Sequence, residues 1–203
     1  MTEHVQHSVR PATAADVDRL SRTLAAAFAD DPVFGHLLPP GVRSREERVR
    51  RVFAVDGARS LAHGGLWTTA DGDAAAVWFP PGHWRPTPRE DLRETPAWLR
   101  ISGRQMRVFQ RLRAALFAHH RELPPHWYLY YVGTLPSRQG EGLGSALLQA
   151  VLSRCDAEQV PAYLESTCER NLPLYRRHGF VEQRTLDVPP GCPPMTPMWR
   201  DPR

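Results

Sequence analysis

The chain has 203 residues with 41% apolar residues, and its 26 positive side chains exceed its 22 acids by four. That suffices for one core and a single domain over residues 1–203. Every positive side chain is an arginine, which excludes a P-loop lysine, a Schiff-base lysine and a Lys-Glu catalytic pair. Arginine offers planar forks to phosphates or carboxylates, and an arginine-only chain equally fits coding bias. Cys155, Cys168 and Cys192 are odd in number and lack CxxC spacing, so neither a disulfide framework nor a metal site is expected. A reducing compartment follows. "MTEHVQHSVR" lacks a signal-peptide apolar run and no later stretch is long enough to span a bilayer, so the expectation is a soluble cytoplasmic protein with no membrane partner.

In chain order, "SVRPAT" reads as a short first strand. Thr13 or Ala14 to Ala29 has helical apolar spacing behind a threonine N-cap and the early acid Asp16. "DDPVFGHLLPPG" breaks the pattern, and a second helix runs from about Ser44 to His63. "GGLWTTA" and "AAAVWFPP" form a hairpin across "DGD". "GHWRPTPRED" is a proline-rich loop. Residues 88–120 then carry helical periodicity interrupted near Ser102-Gly103, which gives two helices. "PPHWYLYYVGTL" is a long aromatic and β-branched strand, followed by the helix "SALLQAVLSRCDAEQ", the strand "PAYLES" and the short helix "NLPLYRRHG" closed by Gly179. "FVEQRTLDV" and "MTPMWR" are the last two strands. The class is therefore α+β, or mixed α/β, around a central sheet, and "MTPMWR" is a candidate sheet edge for a homodimer.

The stretch "VGTLPSRQGEGLGSALLQA" places Gly140, Gly142 and Gly144 between a strand and a helix. Such a turn directs backbone amides outward at the positive end of a helix dipole and forms a nest for phosphate oxygens, with Arg138 and Gln139 as added donors. A tight structural connection is the rival reading. A dinucleotide fingerprint fits less well: the spacing is G-x-G-x-G with Ser145 next, and the turn lies two-thirds along the chain rather than opening a βαβ unit, although Glu165 sits at a tempting distance.

Gln139-x-x-Gly142-x-Gly144, between "YLYYVGTLP" and "SALLQAVL", resembles the acetyl-CoA signature of the GCN5-related N-acetyltransferase (GNAT) superfamily. "PAYLESTCERNLPLYRRHGFVE" is similar to that superfamily's later strand, short helix and strand, with its N-x-x-x-Y spacing and H-G-F ending. "RTLAAAFADDP" and "AVWFPP" add a similarity to puromycin N-acetyltransferase-like small-molecule enzymes. The likeness is specific over 128–181 and loose over about 36–120. It implies a twisted, mostly antiparallel sheet with splayed central strands, an acetyl-CoA-binding core over 126–188, and a variable acceptor side over 36–120.

Residue by residue, the resemblance implies that Val132, Gly133 and Thr134 hold the acetyl carbonyl and pantetheine amides through the main chain. Arg138, Gln139, Gly140, Glu141, Gly142, Leu143, Gly144 and Ser145 would bind the pyrophosphate, Asn171 would reach the pantetheine arm, and Tyr175 would protonate the departing thiolate. The chemistry asks for the same parts: a neutral amine, an oxyanion donor and a proton for the thiolate. Glu165, at the end of "AYLES", is the first choice of base. Each role has a plainer rival: Glu165 as a strand-end carboxylate paired with arginine, Tyr175 as a helix aromatic, Asn171 as a helix cap. His126 and His178 read as structural or solvated and stay outside the expected site. Glu141 departs from the basic residue common at its position and would oppose a pyrophosphate unless it points to solvent or Arg138 offsets it.

For the acceptor, the region before the signature strand is rich in aromatics and poor in acids, and Phe34, Trp78 and Trp84 are candidate contacts. Such a lining suits a small-molecule amine with a flat or apolar body, for example puromycin or a related amino-nucleoside antibiotic, rather than an aminoglycoside. Core packing is the alternative for these rings. A protein or peptide N-terminal acetyltransferase, or a non-catalytic acyl-CoA-binding protein, would keep the signature and differ at the acceptor. The arginine clusters "RSREERVRR" and "RQMRVFQRLR" read as solvated helix faces, so no nucleic-acid partner is expected.

Overall fold

The computed structural model describes residues 7–184 and 186–203. Residues 1–6, on which the reading of the N-terminus partly rests, and Thr185 in the expected strand over 180–188 lie outside them. The elements run β1 (Val9–Pro11), α1 (Val17–Ala27), α2 (Pro32–Leu37), α3 (Arg45–Ala62), β2 (Leu66–Thr69), β3 (Ala74–Phe79), α4 (Pro88–Ser102), α5 (Met106–His120), β4 (Trp127–Thr134), α6 (Leu143–Glu158), β5 (Ala162–Ser166), α7 (Leu172–Arg177), β6 (Val181–Glu182) and β7 (Thr196–Arg200). One seven-stranded sheet has the order β1-β2-β3-β4-β5-β7-β6. Every pairing is antiparallel except β4 with β5.

The sheet separates two apolar layers by strand alternation. Ala74, Ala76 and Trp78 of β3, with Trp127 and Leu129 of β4, pack on Leu147, Leu148 and Val151 of α6. The intervening residues Ala75, Val77 and Phe79, with Tyr128 and Tyr163, pack on Leu20 and Leu24 of α1 and Val49 and Phe53 of α3. With both faces covered, β3 is apolar throughout rather than alternating. Local signals set the helix starts. Thr87 accepts from the Glu90 amide while the Glu90 carboxylate accepts from the Thr87 amide, closing a capping box behind Pro88.

Three expectations need correction. "DDPVFGHLLPPG" contains α2, because Asp31 accepts from the amides of Val33 and Phe34 and Pro32 sets the first helical φ. Among the described residues of 180–188, Val181 and Glu182 alone form a strand, and Leu186 instead packs with Val33, Leu37 and Leu112. β7 is an inner strand flanked by β5 and β6, so "MTPMWR" is not the open edge expected for pairing with a second subunit.

Gly65 joins α3 to β2 where no side chain fits: a Cβ there would lie 2.0 Å from the Trp78 carbonyl oxygen. We predict that Gly65→Ala lowers the unfolding free energy by about 3 kcal/mol through this overpacking. Urea denaturation checks it, and a wild-type midpoint would contradict it.

Candidate active site

The site begins where the sheet opens. β4 and β5 pair in parallel at only three positions, Trp127 with Ala162, Tyr128 with Tyr163 and Leu129 with Leu164, and then diverge. On its other edge β4 stays paired to β3, but the register slips there: Val77 faces Tyr131 and Trp78 faces Leu129, which leaves Tyr130 as the extra residue of a bulge. The slip puts Tyr130 and Tyr131 on the same face, with ring centroids 4.5 Å apart. Beyond the slip, Val132, Gly133 and Thr134 bond to β3 on one edge and turn the main-chain groups of the other edge toward the gap. Gly133 admits α1 to this point, since a Cβ there would stand 2.8 Å from Ala27 Cβ.

A cleft of ≈ 350 Å³ follows from the end of β4 over the glycine turn to α7. Gly140 and Gly142 take positive φ, 86° and 89°, while Gly144 lies in the first turn of α6 with ordinary helical geometry. The conformational freedom expected of three glycines is thus used by two. Residues 143–145 precede the first internal bond of α6, Ala146 N–H to the Gly142 carbonyl, so their amides sit at the positive helix end. Arg138 is already engaged: it bonds Glu141 at 2.8 Å, Asp73 at 2.6 Å and Asp71 at 3.2 Å. Its charge offsets Glu141, and three carboxylates hold its guanidinium at the cleft wall. Gln139 donates to the Thr134 carbonyl and Ser145 Oγ lies 3.0 Å from His178 Nε2.

A second cavity, ≈ 110 Å³, occupies the gap between the diverging strands. Phe28, Asp31, Val132, Asn171 and Tyr175 line both it and the cleft. Tyr175 is buried, and burial first, then Asp31, pushes its pKa well above the usual tyrosine value, so the phenol keeps its proton at neutral pH. Asn171 makes no cap bond with its side chain, against the capping alternative. Asp31 is committed: one carboxylate oxygen caps α2 and the other accepts from Thr167 Oγ1. Glu165 lines the same cavity with its side chain 2% exposed, and it accepts from Tyr128 OH at 2.6 Å. Among the described residues no arginine pairs with it.

Tyr130, Tyr131, Leu37, Leu112 and Leu116 also line a third cavity, ≈ 320 Å³, walled by α3, α4 and α5. The buried carboxylate on its wall is Asp56, hidden from the sequence reading inside the α3 pattern. Asp56 accepts from Tyr131 OH and from Arg59, both at 3.1 Å. Desolvation pushes its carboxyl up to about 6, opposed by Arg59 and reinforced by Glu94. Arg59 also lies over the Phe79 ring at 4.7 Å.

The aromatic candidates separate. Phe34 lines the second cavity, packed on Phe28, Phe53 and Tyr131. Trp78 does not reach any of the three: its place in the β3 alternation turns it to the α6 face, where it is fully buried. Trp84 stacks on His120 and meets Phe117 edge-on rather than lining a cavity wall. Among the described residues no group of His, Cys, Asp and Glu is arranged to hold a metal ion, and no helix is long and apolar enough to cross a membrane.

Comparison with known proteins agrees with this arrangement. The sequence profile of the Acetyltransferase (GNAT) family matches residues 108–180. An uncharacterised N-acetyltransferase of Schizosaccharomyces pombe is 29% identical over 183 residues, covering 85% of this chain and 74% of the relative. A Corynebacterium glutamicum structure described as histone acetyltransferase HPA2 and related acetyltransferase superposes with TM-score 0.73 at 29% identity, over 98% of each chain. Arylalkylamine N-acetyltransferase 2 of Aedes aegypti shares the fold, with TM-score 0.65 at 11% identity over 96% of this chain and 98% of that one. Opened sheet, glycine turn and these likenesses together support an N-acetyltransferase of the GNAT type.

Proposed function

We propose that the enzyme acetylates the primary amine of a small molecule with an apolar or aromatic body, using acetyl-CoA. The observation that carries this reading is that the three cavities share walls in series: glycine-turn cleft, strand gap, helix-walled chamber. A donor in the first and an acceptor in the third would meet in the second.

The cleft fits a pyrophosphate on its own features. Two positive-φ glycines form the nest, nothing stands within 4 Å of a Cβ built on Gly140, and the α6 amides add a positive helix end. Gly140, Gly142, Leu143, Gly144 and Ser145 would hold the phosphates through the main chain, with Gln139 beside them. Arg138 and Glu141 set the local charge as a pair. Val132, Gly133 and Thr134 would offer main-chain bonds to the pantetheine arm, with Asn171 opposite. Bound there, acetyl-CoA supplies an activated acetyl thioester. Tyr175 holds a proton at the junction of cleft and gap, as the departure of a thiolate requires, and Glu165 presents a buried carboxylate to take a proton from the amine.

The acceptor chamber has the volume of a small-molecule site, and helices enclose it on several sides, which favours a compact amine over a peptide. Trp98, Met106, Phe109 and Phe117 supply flat and apolar wall, and Asp56 supplies one interior carboxylate. An amino-nucleoside antibiotic such as puromycin has this character, and so do arylalkylamines of the kind named for the Aedes enzyme.

Thiol release from acetyl-CoA, measured against puromycin, an arylalkylamine, an aminoglycoside and an N-terminal peptide, tests the reading. We predict turnover on the aromatic amines, with kcat lowered about 10²-fold or more by Tyr175→Phe and by Glu165→Gln. Acetyl-CoA should still raise the Tm of both variants. Peptide turnover alone would overturn the small-molecule reading.

Asp56 yields a prediction of pH dependence. A carboxyl raised to about 6 in the folded state binds its proton more tightly there than when unfolded, so its contribution to stability is full below about pH 4 and is lost as pH rises to about 6. Relative to Asp56→Asn, the wild type should lose on the order of 2 to 3 kcal/mol over that window and nothing further above it. Parallel denaturation curves across pH check it; a constant difference would refute it.

A further inference from the structure

Behind Glu165 the fold buries two histidines, one that the sequence reading set aside and one that it passed over. His120 ends α5, His126 precedes β4, and each is 2% exposed. His126 Nδ1 lies 2.7 Å from the Pro124 carbonyl oxygen, and His126 Nε2 lies 3.0 Å from His120 Nδ1. His120 Nε2 in turn lies 3.3 Å from Glu165 Oε1. Four groups in a row leave three gaps.

Each gap needs one proton, because two facing lone pairs repel. Both ends of the row, a carbonyl and an ionised carboxylate, only accept. Two neutral imidazoles bring two protons, so the row is one proton short whenever Glu165 is ionised and both rings are neutral. One more proton completes it. The shortfall falls at the last gap: Nε2 of His120 and Oε1 of Glu165 face each other outside hydrogen-bond geometry, and neither has a hydrogen-bond partner among the described residues. At the other end the Pro124 carbonyl requires a proton on His126 Nδ1, and burial pushes the His126 pKa down to about 4, which keeps that ring neutral. His126 Nε2 therefore accepts from His120 Nδ1–H, and the free valence of the row is His120 Nε2.

The surroundings supply no competing charge. Tyr128 of β4 packs against His120 at 4.3 Å between centroids, Tyr163 of β5 at 5.1 Å, Trp84 stacks on it at 5.0 Å, and His119 of its own helix stands 6.4 Å away. The Tyr128 hydroxyl is spent on the other oxygen of Glu165. The Tyr163 hydroxyl is buried beside Glu165, and burial first, then the Glu165 charge, pushes its pKa up and keeps it protonated, but it lies outside hydrogen-bond geometry.

We infer that the base is this row rather than Glu165 alone: Glu165 takes the proton of the acceptor nitrogen, His120 Nε2 shares it, and His126 positions His120. One N–H bond of the acceptor breaks, one bond to hydrogen forms in the Glu165–His120 gap, and the row passes from charge −1 to neutral. The proton leaves to solvent before the next turnover. His120 and His126 act through Glu165 and are positioning residues. The inference rests on the acetyl-transfer reading above.

Nitrogen-15 NMR of the histidine-labelled protein, without substrate, reads the tautomers directly. Near neutral pH, His126 should show the Nδ1–H tautomer, and Glu165→Gln should change the protonation seen at His120 Nε2. An Nε2–H tautomer at His126, or a His120 Nε2 signal identical in Glu165→Gln, overturns the inference. In kinetics, the amide of His120→Gln would donate to Glu165 permanently. Its kcat should fall about 10²-fold and the acid limb of kcat should move to lower pH, while the Kd for acetyl-CoA changes less than about threefold. A wild-type kcat and pH profile in His120→Gln also overturns it. If that variant fails to fold, the spectra decide. Absence of turnover in the wild type itself would count against the acetyl-transfer reading and leave the proton count standing on the spectra.

Discussion

Everything in this molecule that resembles a site depends on two neighbouring strands parting. Among the described residues β4 and β5 are the one parallel pair in an otherwise antiparallel sheet, and they hold together for three residue pairs only. Parting strands leave main-chain donors and acceptors without a ladder, a cost normally avoided inside a domain. Here the unladdered edge of β4 is where the cleft and the gap cavity meet, so the groups released from the sheet face those two cavities. The bulge at Tyr130 serves the same opening: by placing two successive tyrosines on one face it lets β4 turn away from β5 while keeping β3.

Charge is handled differently along the three cavities. At the cleft, Arg138 is tied to Asp71, Asp73 and Glu141, so the amides and the helix end, rather than a free guanidinium, remain to meet an anion. In the gap, burial holds Tyr128 and Tyr175 in their protonated forms. In the helix-walled chamber, Asp56 and Arg59 form a buried ion pair at 3.1 Å, and desolvation raises the carboxyl's pKa against that pairing. A net positive chain thus presents interior sites governed by local pairs and not by its overall charge.

Much of this was legible in the sequence. The α3, α4 and α5 helices and the β2–β3 hairpin follow from periodicity and turn residues, and the glycine turn announces its nest through spacing alone. What sequence could not supply was facing. Trp78 looks like a ligand contact until strand parity turns it toward α6. Arg138 looks like a phosphate donor until a hairpin some 65 residues earlier brings two aspartates to it. His120, Asp56 and Glu165 come from different elements, and nothing local marks them as neighbours of one continuous set of cavities. The Asp31-Pro32 pair was the exception: a cap residue followed by proline is a readable helix start, and it was overlooked because a break had been read there.

The central claim is that the parted strands and the glycine turn together receive acetyl-CoA. A crystal structure of the protein with CoA tests it most directly. The account predicts the pyrophosphate on the amides of residues 140–145 and the thiol end reaching the gap between β4 and β5, beside Tyr175. CoA bound elsewhere on the surface, or a thiol directed away from that gap, would contradict it.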